Sequence, residues 1–173
     1  MTETASRAFR ERAVSWRTVW NELYPEDGND PHDDDYAAEM HRLRGLIMAQ
    51  AAETEAVLGM ILVRLDSGQN VARPVGQLLL SIRQKLDDQR RSTWSDSLDL
   101  MYDAIKRRNE AVHRPVEVGS SWAPYSTGDG GDWIPVITLM CDQEYDEQRL
   151  RRDLALQLRA TREAVRLLRC LDL

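Results

Sequence analysis

The sequence predicts an all-α fold: an antiparallel bundle of four or five helices, with a small β-hairpin or ordered loop inserted at about residues 116–140 before the last helix. Apolar residues recur at spacings of three and four over most of the chain, which is the period of an amphipathic helix. Clusters of turn-forming residues separate these segments, so that each helix can cover the apolar stripe of a neighbour. A length of 173 residues and a hydrophobic content of 42% suit a single domain over residues 1–173.

The charge balance limits the classes of partner. The chain has 23 Lys and Arg against 29 Asp and Glu, a net charge of -6, so any anionic partner must be bound by a local patch. Cys141 and Cys170 lack metal-ligand spacing, and no signal-peptide pattern opens the sequence. The apolar runs "GMILV" and "LLL" are far shorter than the roughly 20 residues of a membrane span. We therefore expect a soluble, cytoplasmic protein without a membrane partner.

The first predicted helix covers residues from about 4 to 24 and ends at Pro25 and Gly28. Its apolar stripe consists of Phe9, Ala13, Trp16, Trp20 and Leu23. The acidic stretch "PEDGNDPHDDDY" then predicts a linker whose last aspartates cap the next helix. A calcium-binding loop is the alternative, but the stretch contains Pro31 and lacks the glycine and distal glutamate of such a loop.

The second and third predicted helices follow this linker. The second covers residues from about 35 to 66, with the stripe Tyr36, Met40, Leu43, Ile47, Thr54, Leu58, Ile61 and Leu65. Gln50 and Thr54 place polar groups in the middle of this stripe. After the break "SGQNVARP", the spacing of Val75, Leu79, Ile82 and Leu86 predicts the third helix.

The fourth predicted helix begins near Trp94, because Thr93 and Asp96 resemble a capping box. Its stripe consists of Trp94, Leu98, Met101, Ile105, Arg108 and Val112. Beyond Pro115, the segment "DWIPVITLM" has the composition of a strand and "STGDGGD" that of a loop, which predicts the insertion. Here Trp122 and Trp133 suit a lid, a partner surface or a hairpin core equally well. A final helix over about 145–170 carries Leu150, Leu154, Leu158, Val165, Leu168 and Leu171.

Arg108 interrupts an apolar stripe, where an arginine is unfavourable unless it is paired or faces a wet cavity. It can extend from the edge of the stripe or pair with Glu53 or Glu55 of the second helix. Five residues later, His113 lies at the expected helix end, where a histidine can cap carbonyl groups or exchange protons. The turn around Arg108 is also basic and has Glu110 as its only acidic residue; its other cations are Lys106, Arg107 and Arg114. This patch can hold a phosphate group.

The segment "RNEAVH", from Arg108 to His113, resembles the R-x4-6-H signature of the HEPN superfamily of small helical-bundle ribonucleases. The residue after the arginine is polar in that signature and often asparagine, as Asn109 is here. The segment "AQAAETEAVL", residues 49–58, is similar to the acidic second-helix segment of the superfamily. The resemblance covers roughly residues 36–115 and the last helix.

This resemblance implies a metal-independent endoribonuclease without cofactor, often a toxin or antiviral defence effector, whose active site forms between two protomers. It implies catalytic functions for Arg108, Asn109 and His113 and a substrate-binding function for Glu55, and the basic patch adds Lys106, Arg107 and Arg114 as substrate-binding residues. The implied partners are RNA, a second copy of the chain, and an antitoxin or defence-system protein. Pro115 stands where relatives paired with a nucleotidyltransferase antitoxin carry a tyrosine, so silencing by modification of that tyrosine is not expected. The alternative is a noncatalytic helical module for dimerisation or RNA positioning, with a structural Arg108 and a capping His113.

Overall fold

A computed structural model of the chain describes residues 9–13, 32–114, 116–126, 130–139 and 145–171. This part is mostly helical and contains five helices and three strands. The helices are α1 (His32–Leu65), α2 (Val75–Lys85), α3 (Asp88–Thr93), α4 (Ser95–His113) and α5 (Glu147–Leu171); the strands are β1 (Phe9–Ala13), β2 (Val116–Pro124) and β3 (Gly131–Leu139). Contacts divide the chain into two compact units, one of Met1–Leu43 with Arg114–Arg149 and one of Arg44–His113 with Leu150–Leu173.

The second unit has a helical core, to which α1, α2, α4 and α5 contribute. Its fully buried apolar residues are Leu58, Ile61, Leu62, Leu78, Leu79, Ile82, Leu86, Leu98, Met101, Ala104, Ala160, Ala164 and Leu167. The helices predicted over 35–66, from Val75, from near Trp94, and over 145–170 are thereby confirmed to within a few residues. Trp94 is half-buried and packs against this core.

The buried face of α5 differs from the predicted leucine stripe. Leu158 of that stripe is 41% exposed. Leu150 of the stripe is buried as predicted, and Leu168 and Leu171 are half-buried and pack against the core. The other buried residues of the helix were not predicted: Asp153, Gln157, Ala160, Ala164 and Leu167. The prediction was wrong at Leu158 and missed the alanines and Gln157, because alanines allow close helix packing and Gln157 satisfies its amide inside the core.

The capping box predicted at Thr93 was also wrong. Thr93 is the last residue of α3, and its hydroxyl donates a hydrogen bond of 2.9 Å to the carbonyl of Gln89. The N-cap residue of α3 is Asp87, whose carboxylate accepts a hydrogen bond of 2.8 Å from the backbone N–H of Arg90. The segment "DQRRST", Asp88–Thr93, thus forms a short helix of its own before α4.

The first unit contains an antiparallel sheet in the order β1-β2-β3. The predicted hairpin is confirmed, since β2 pairs with β3 from Val116 opposite Leu139 to Pro124 opposite Gly131. Trp122 and Trp133 form a cross-strand pair with ring centroids 5.6 Å apart, and they are 43% and 55% exposed rather than part of a core. Gly130 has a φ of 97°, which suits glycine at the end of the connecting turn.

The helix predicted over residues 4–24 was wrong at Phe9–Ala13, which form β1. This segment pairs with β2 from Phe9 opposite Ser120 to Ala13 opposite Val116. The open edge of a hairpin offers a row of backbone donors and acceptors, and pairing with it can override the helical period of a short segment. The rest of that predicted helix, with Trp16 and Trp20, and the acidic linker up to Pro31 lie outside the described residues.

Among the described residues, one helix is long and apolar enough to span a membrane by length and composition, namely α1 over Ala37–Leu65. The sequence analysis did not find this candidate span, because it considered only uninterrupted apolar runs. The criterion that α1 meets is the mean hydropathy of a longer window, which also contains small and polar residues. Core helices of water-soluble proteins meet the same criterion, and this helix contributes the buried residues Met40, Leu43, Ile47, Leu58, Ile61 and Leu62. The criterion is therefore weak evidence for a membrane span.

Candidate functional site

The residues of the RNEAVH segment lie in the last two turns of α4. The helix is fixed one turn earlier, at Ala104, where the buried side-chain amide of Gln157 donates a hydrogen bond of 2.7 Å to the backbone carbonyl. Small residues on the buried face, Ala104 and Ala111, let α4 approach its neighbours closely. Packing thus determines the position of Arg108, which lies between these two alanines in the chain.

Arg108 is half-buried, and its guanidinium is only partly satisfied. Its Nη1 donates a hydrogen bond of 2.9 Å to the Oδ1 atom of Asn109. Its Nε is buried and has no hydrogen-bond partner among the described residues. This is unusual, because buried polar atoms almost always have a partner. Arg108 therefore has one donor inside the helical core that no described residue satisfies.

A small pocket lies beside this guanidinium. Its lining consists of Ala51, Thr54, Glu55, Val75, Ala104, Ile105, Arg108 and Gln157. A volume of about 10 Å³ is sufficient for about one water molecule. The structure thus brings Glu55 and Arg108 to the same pocket, but within the described residues no ion pair joins Arg108 to Glu55 or to Glu53.

The polar residues in the middle of the α1 stripe belong to a hydrogen-bond network next to this pocket. Gln50 donates its amide to the Thr161 hydroxyl at 2.7 Å, and the Thr54 and Thr161 hydroxyls are 2.8 Å apart. The Thr161 hydroxyl in turn donates to the carbonyl of Gln157 at 3.0 Å. This network links α1 to α5 and explains why the stripe of α1 is not apolar throughout.

The end of α4 is held by a residue that the sequence analysis missed, Arg44 of α1. Its Nε donates to the carbonyl of Ala111 at 2.7 Å, and its Nη2 donates to the carbonyl of Val112 at 2.9 Å. Burial lowers the pKa of Arg44 from its ordinary value. Arg44 lies 67 residues before Ala111, so no local sequence pattern indicates this contact. The only signal is an arginine next to the apolar stripe of α1.

His113 is the last residue of α4 and is exposed. On a regular helix, Arg108 and His113 diverge by about 140°, so within one chain their side chains leave the helix in different directions. Asn109 is exposed and accepts the hydrogen bond from Arg108. The structure therefore brings Arg108 together with Asn109 and Glu55, and it leaves His113 at the solvent-exposed end of the helix.

The other basic residues of this segment differ in their surroundings. Lys106 is exposed. Arg107 is half-buried and forms ion pairs on its own helix, with Asp103 at 3.9 Å and with Glu110 at 3.3 Å, which reduce its capacity to bind a phosphate. Arg114 directly follows α4, belongs to the other compact unit, and is also engaged with other residues. The predicted basic patch is thus partly neutralised by neighbouring carboxylates.

The site has the components of acid–base and charge-stabilising chemistry. An exposed imidazole can accept or donate a proton, and a guanidinium with a spare donor can bind a phosphate oxygen. Among the described residues, no group of three or more His, Cys, Asp or Glu side chains is placed to hold a metal ion. No protein-family model matches the chain, and no curated protein or solved structure is significantly similar to it.

Proposed function

We propose that the protein is a metal-independent endoribonuclease of the HEPN type. The observation that carries this proposal is the guanidinium of Arg108, which is fixed by packing at the edge of a core and keeps a buried Nε without an acceptor. A purely structural arginine would be expected to use its donors within the fold. We assign an oxygen of the scissile phosphate to the outer guanidinium nitrogens of this half-buried side chain, because the cavity beside the buried Nε is large enough for only about one water molecule and guanidinium groups suit phosphate well.

In the proposed reaction, His113 accepts the proton of an RNA 2'-hydroxyl, and the 2'-oxygen attacks the neighbouring phosphorus. The bond from phosphorus to the 5'-oxygen breaks, this oxygen takes a proton from a water molecule as it leaves, and His113 returns its proton to the solvent. The products are a 2',3'-cyclic phosphate and a 5'-hydroxyl end. Arg108 stabilises the negative charge that grows on the phosphate oxygens, and Asn109 orients the guanidinium through the bond from Nη1.

We further propose that two copies of the chain, each folded as an antiparallel helical bundle, form the active site together. The divergence of Arg108 and His113 on one regular helix supports this arrangement, because Arg108 of one copy can then act with His113 of the other. A two-fold axis near the end of α4 would place both residues of each pair in one cleft. The biological setting that we propose is a cytoplasmic toxin or defence effector that acts with an antitoxin or a defence-system partner.

The experiment that tests the function is incubation of the purified chain with RNA in excess chelator, followed by analysis of the new ends. Cleavage that persists and leaves cyclic or 3'-phosphate ends supports the proposal. Strict dependence on magnesium, or 5'-phosphate products, would assign the protein to a different class of nuclease. The control is the Arg108→Ala variant, purified in the same way, which excludes cleavage by a contaminating ribonuclease.

The second candidate function is a noncatalytic module for dimerisation or RNA positioning. The ion pairs of Arg107 and the carbonyl contacts of Arg44 favour it, because they show that basic residues near this helix end also have structural functions. For this candidate, we expect the wild-type chain and the Arg108→Ala variant to leave RNA equally intact.

A further inference from the structure

A second polar pocket lies between the beginning of α4 and the C-terminal half of α5. Its volume is about 450 Å³, and it shares no lining residue with the pocket of Arg108. Helix α5 contributes Arg159, Arg162, Glu163 and Arg166, and α4 contributes Asp96 and Ser97. Three arginines at one pocket indicate an anionic ligand.

Two of these three arginines have no hydrogen bond or ion pair among the described residues, although the charge of Arg159 also acts on Glu163. Arg166 donates from Nη1 to Glu163 at 2.8 Å and lies over the Trp94 ring at 5.9 Å, so it already has partners within the protein. Arg159 and Arg162 are exposed and form no hydrogen bond or ion pair with any residue that the structure describes. They lie three residues apart on one face of α5, where both can reach the same ligand.

The two carboxylates of the pocket have different surroundings. Glu163 accepts a hydrogen bond from the Ser97 hydroxyl at 2.9 Å as well as the one from Arg166. Burial opposes its charge, but these two hydrogen bonds and the positive charges of Arg166 and Arg159 outweigh burial and lower the pKa of Glu163. Asp96 is exposed and has no hydrogen-bond partner among the described side chains, so it can accept a hydrogen bond from a ligand.

We infer that this pocket binds the backbone of single-stranded RNA, with phosphates on Arg159 and Arg162 and a ribose 2'-hydroxyl on Asp96. A carboxylate beside two arginines repels a plain anion, but it suits a ligand that carries phosphates together with hydroxyl donors. The choice of RNA as ligand rests on the proposed function. The pocket would then hold part of a substrate strand outside the cleavage site, which would make cleavage depend on RNA length.

The test measures binding of a short fluorescein-labelled single-stranded RNA, and of DNA with the same sequence, by fluorescence anisotropy over a range of salt concentrations. The protein is the full chain with His113→Ala, so that the RNA is not consumed. We expect Arg162→Ala to weaken RNA binding about tenfold and to reduce the salt slope by about 0.7, the value for one phosphate contact on a single strand. Asp96→Ala should reduce the preference for RNA over DNA.

The matched control is Arg152→Ala, which removes an exposed arginine of α5 outside the pocket and should change neither property. Equal RNA affinities of the Arg162→Ala and Arg152→Ala variants would overturn the inference. Competition by polyglutamate as strong as that by RNA would also overturn it, and would indicate an acidic protein partner. If the wild-type protein binds RNA through Arg162 but does not cleave it, only the ribonuclease proposal fails. If the wild-type protein cleaves RNA and the Arg162→Ala variant binds RNA normally, only the inference about this pocket fails.

Discussion

Arg108 and Arg44 are two half-buried arginines near the end of the same helix, but they differ in what their donors contact. Arg44 donates to two backbone carbonyls that the end of α4 would otherwise leave without partners. Arg108 donates to one exposed amide and retains an unsatisfied Nε. An unsatisfied buried donor is unfavourable for folding, and such groups are retained at functional sites at the expense of stability. The two residues therefore predict opposite effects of substitution.

For the proposed catalytic residues, we expect Arg108→Ala and His113→Ala each to reduce the rate of RNA cleavage by roughly 10²-fold or more, as for other acid–base and charge-stabilising groups. The free energy of unfolding of Arg108→Ala should equal or exceed that of the wild type, because the substitution removes an unsatisfied buried donor. Rate measurements and thermal unfolding of the same preparations check both effects. If both variants still cleave RNA and Arg108→Ala melts at a lower temperature than the wild type, Arg108 is a structural charge.

The control for this pair is Arg107→Ala. The Arg107 side chain leaves the helix about 100° from that of Arg108 and pairs with Asp103 and Glu110. Removal of this side chain should weaken RNA binding modestly and leave the kcat of RNA cleavage unchanged. A loss of turnover as large as that of Arg108→Ala would show that the basic segment acts as a whole rather than through Arg108.

For Arg44, we expect Arg44→Ala to lower the free energy of unfolding by roughly 1 to 3 kcal/mol, because it removes two charged hydrogen bonds to backbone carbonyls. Chemical denaturation monitored by circular dichroism measures this change. Arg42→Ala is the matched control, because it removes an exposed arginine of the same helix that pairs only with nearby carboxylates. Equal stabilities of the two variants would contradict a capping function for Arg44.

At the scale of elements, the sequence predicted what local periodicity encodes. Four helices and the hairpin follow from spacing and turn residues within each segment, and their bounds agree with the structure to within a few residues. Strand β1 could not be found in this way, because its pairing with β2 depends on residues that are more than 100 positions away in the chain. The buried face of α5 was missed for a similar reason, since Gln157 becomes compatible with the core only through the carbonyl of Ala104 on α4.

The connection between α1 and α2 predicts a dependence of stability on pH. Hydrogen bonds from Lys85, Gln69 and the Gly68 backbone lower the pKa of Asp66 from 3.8 to about 2. A lowered folded-state pKa means that the ionised carboxylate favours the folded state. This contribution is complete above the unfolded-state pKa and is lost as the pH falls from about 4 through about 2.

We therefore expect Asp66→Asn to flatten the decrease in unfolding free energy between pH 4 and pH 2 relative to the wild type. Denaturant unfolding at a series of pH values measures this slope. Lys85→Gln should flatten it as well, because Lys85 is the largest cause of the lowered pKa and its Nζ lies 2.6 Å from the carboxylate. Parallel curves for the wild type and both variants would contradict the assigned contact.

At the scale of the whole molecule, the sequence indicated the segment of the candidate site but not its surroundings. Periodicity showed that Arg108 interrupts a core stripe. The structure adds that its Nε is buried and has no acceptor among the described residues. Arg44 and Gln157 act on α4 from distant parts of the chain, so no spacing rule finds them. The local charge count also overstated the basic patch, because the ion pairs of Arg107 form only once the helix is folded.

The proposal of an active site shared by two copies predicts complementation between inactive variants. If Arg108 of one copy acts with His113 of the other, a dimer of one Arg108→Ala chain and one His113→Ala chain contains one intact site and one doubly substituted site. Random exchange between the two variants should then restore roughly a quarter of the wild-type activity, because half of the dimers are mixed and each has one of two sites. Light scattering at micromolar concentration should show a dimer for all three proteins. A monomer, or a mixture as inactive as its components despite confirmed subunit exchange, would exclude an active site shared in this way.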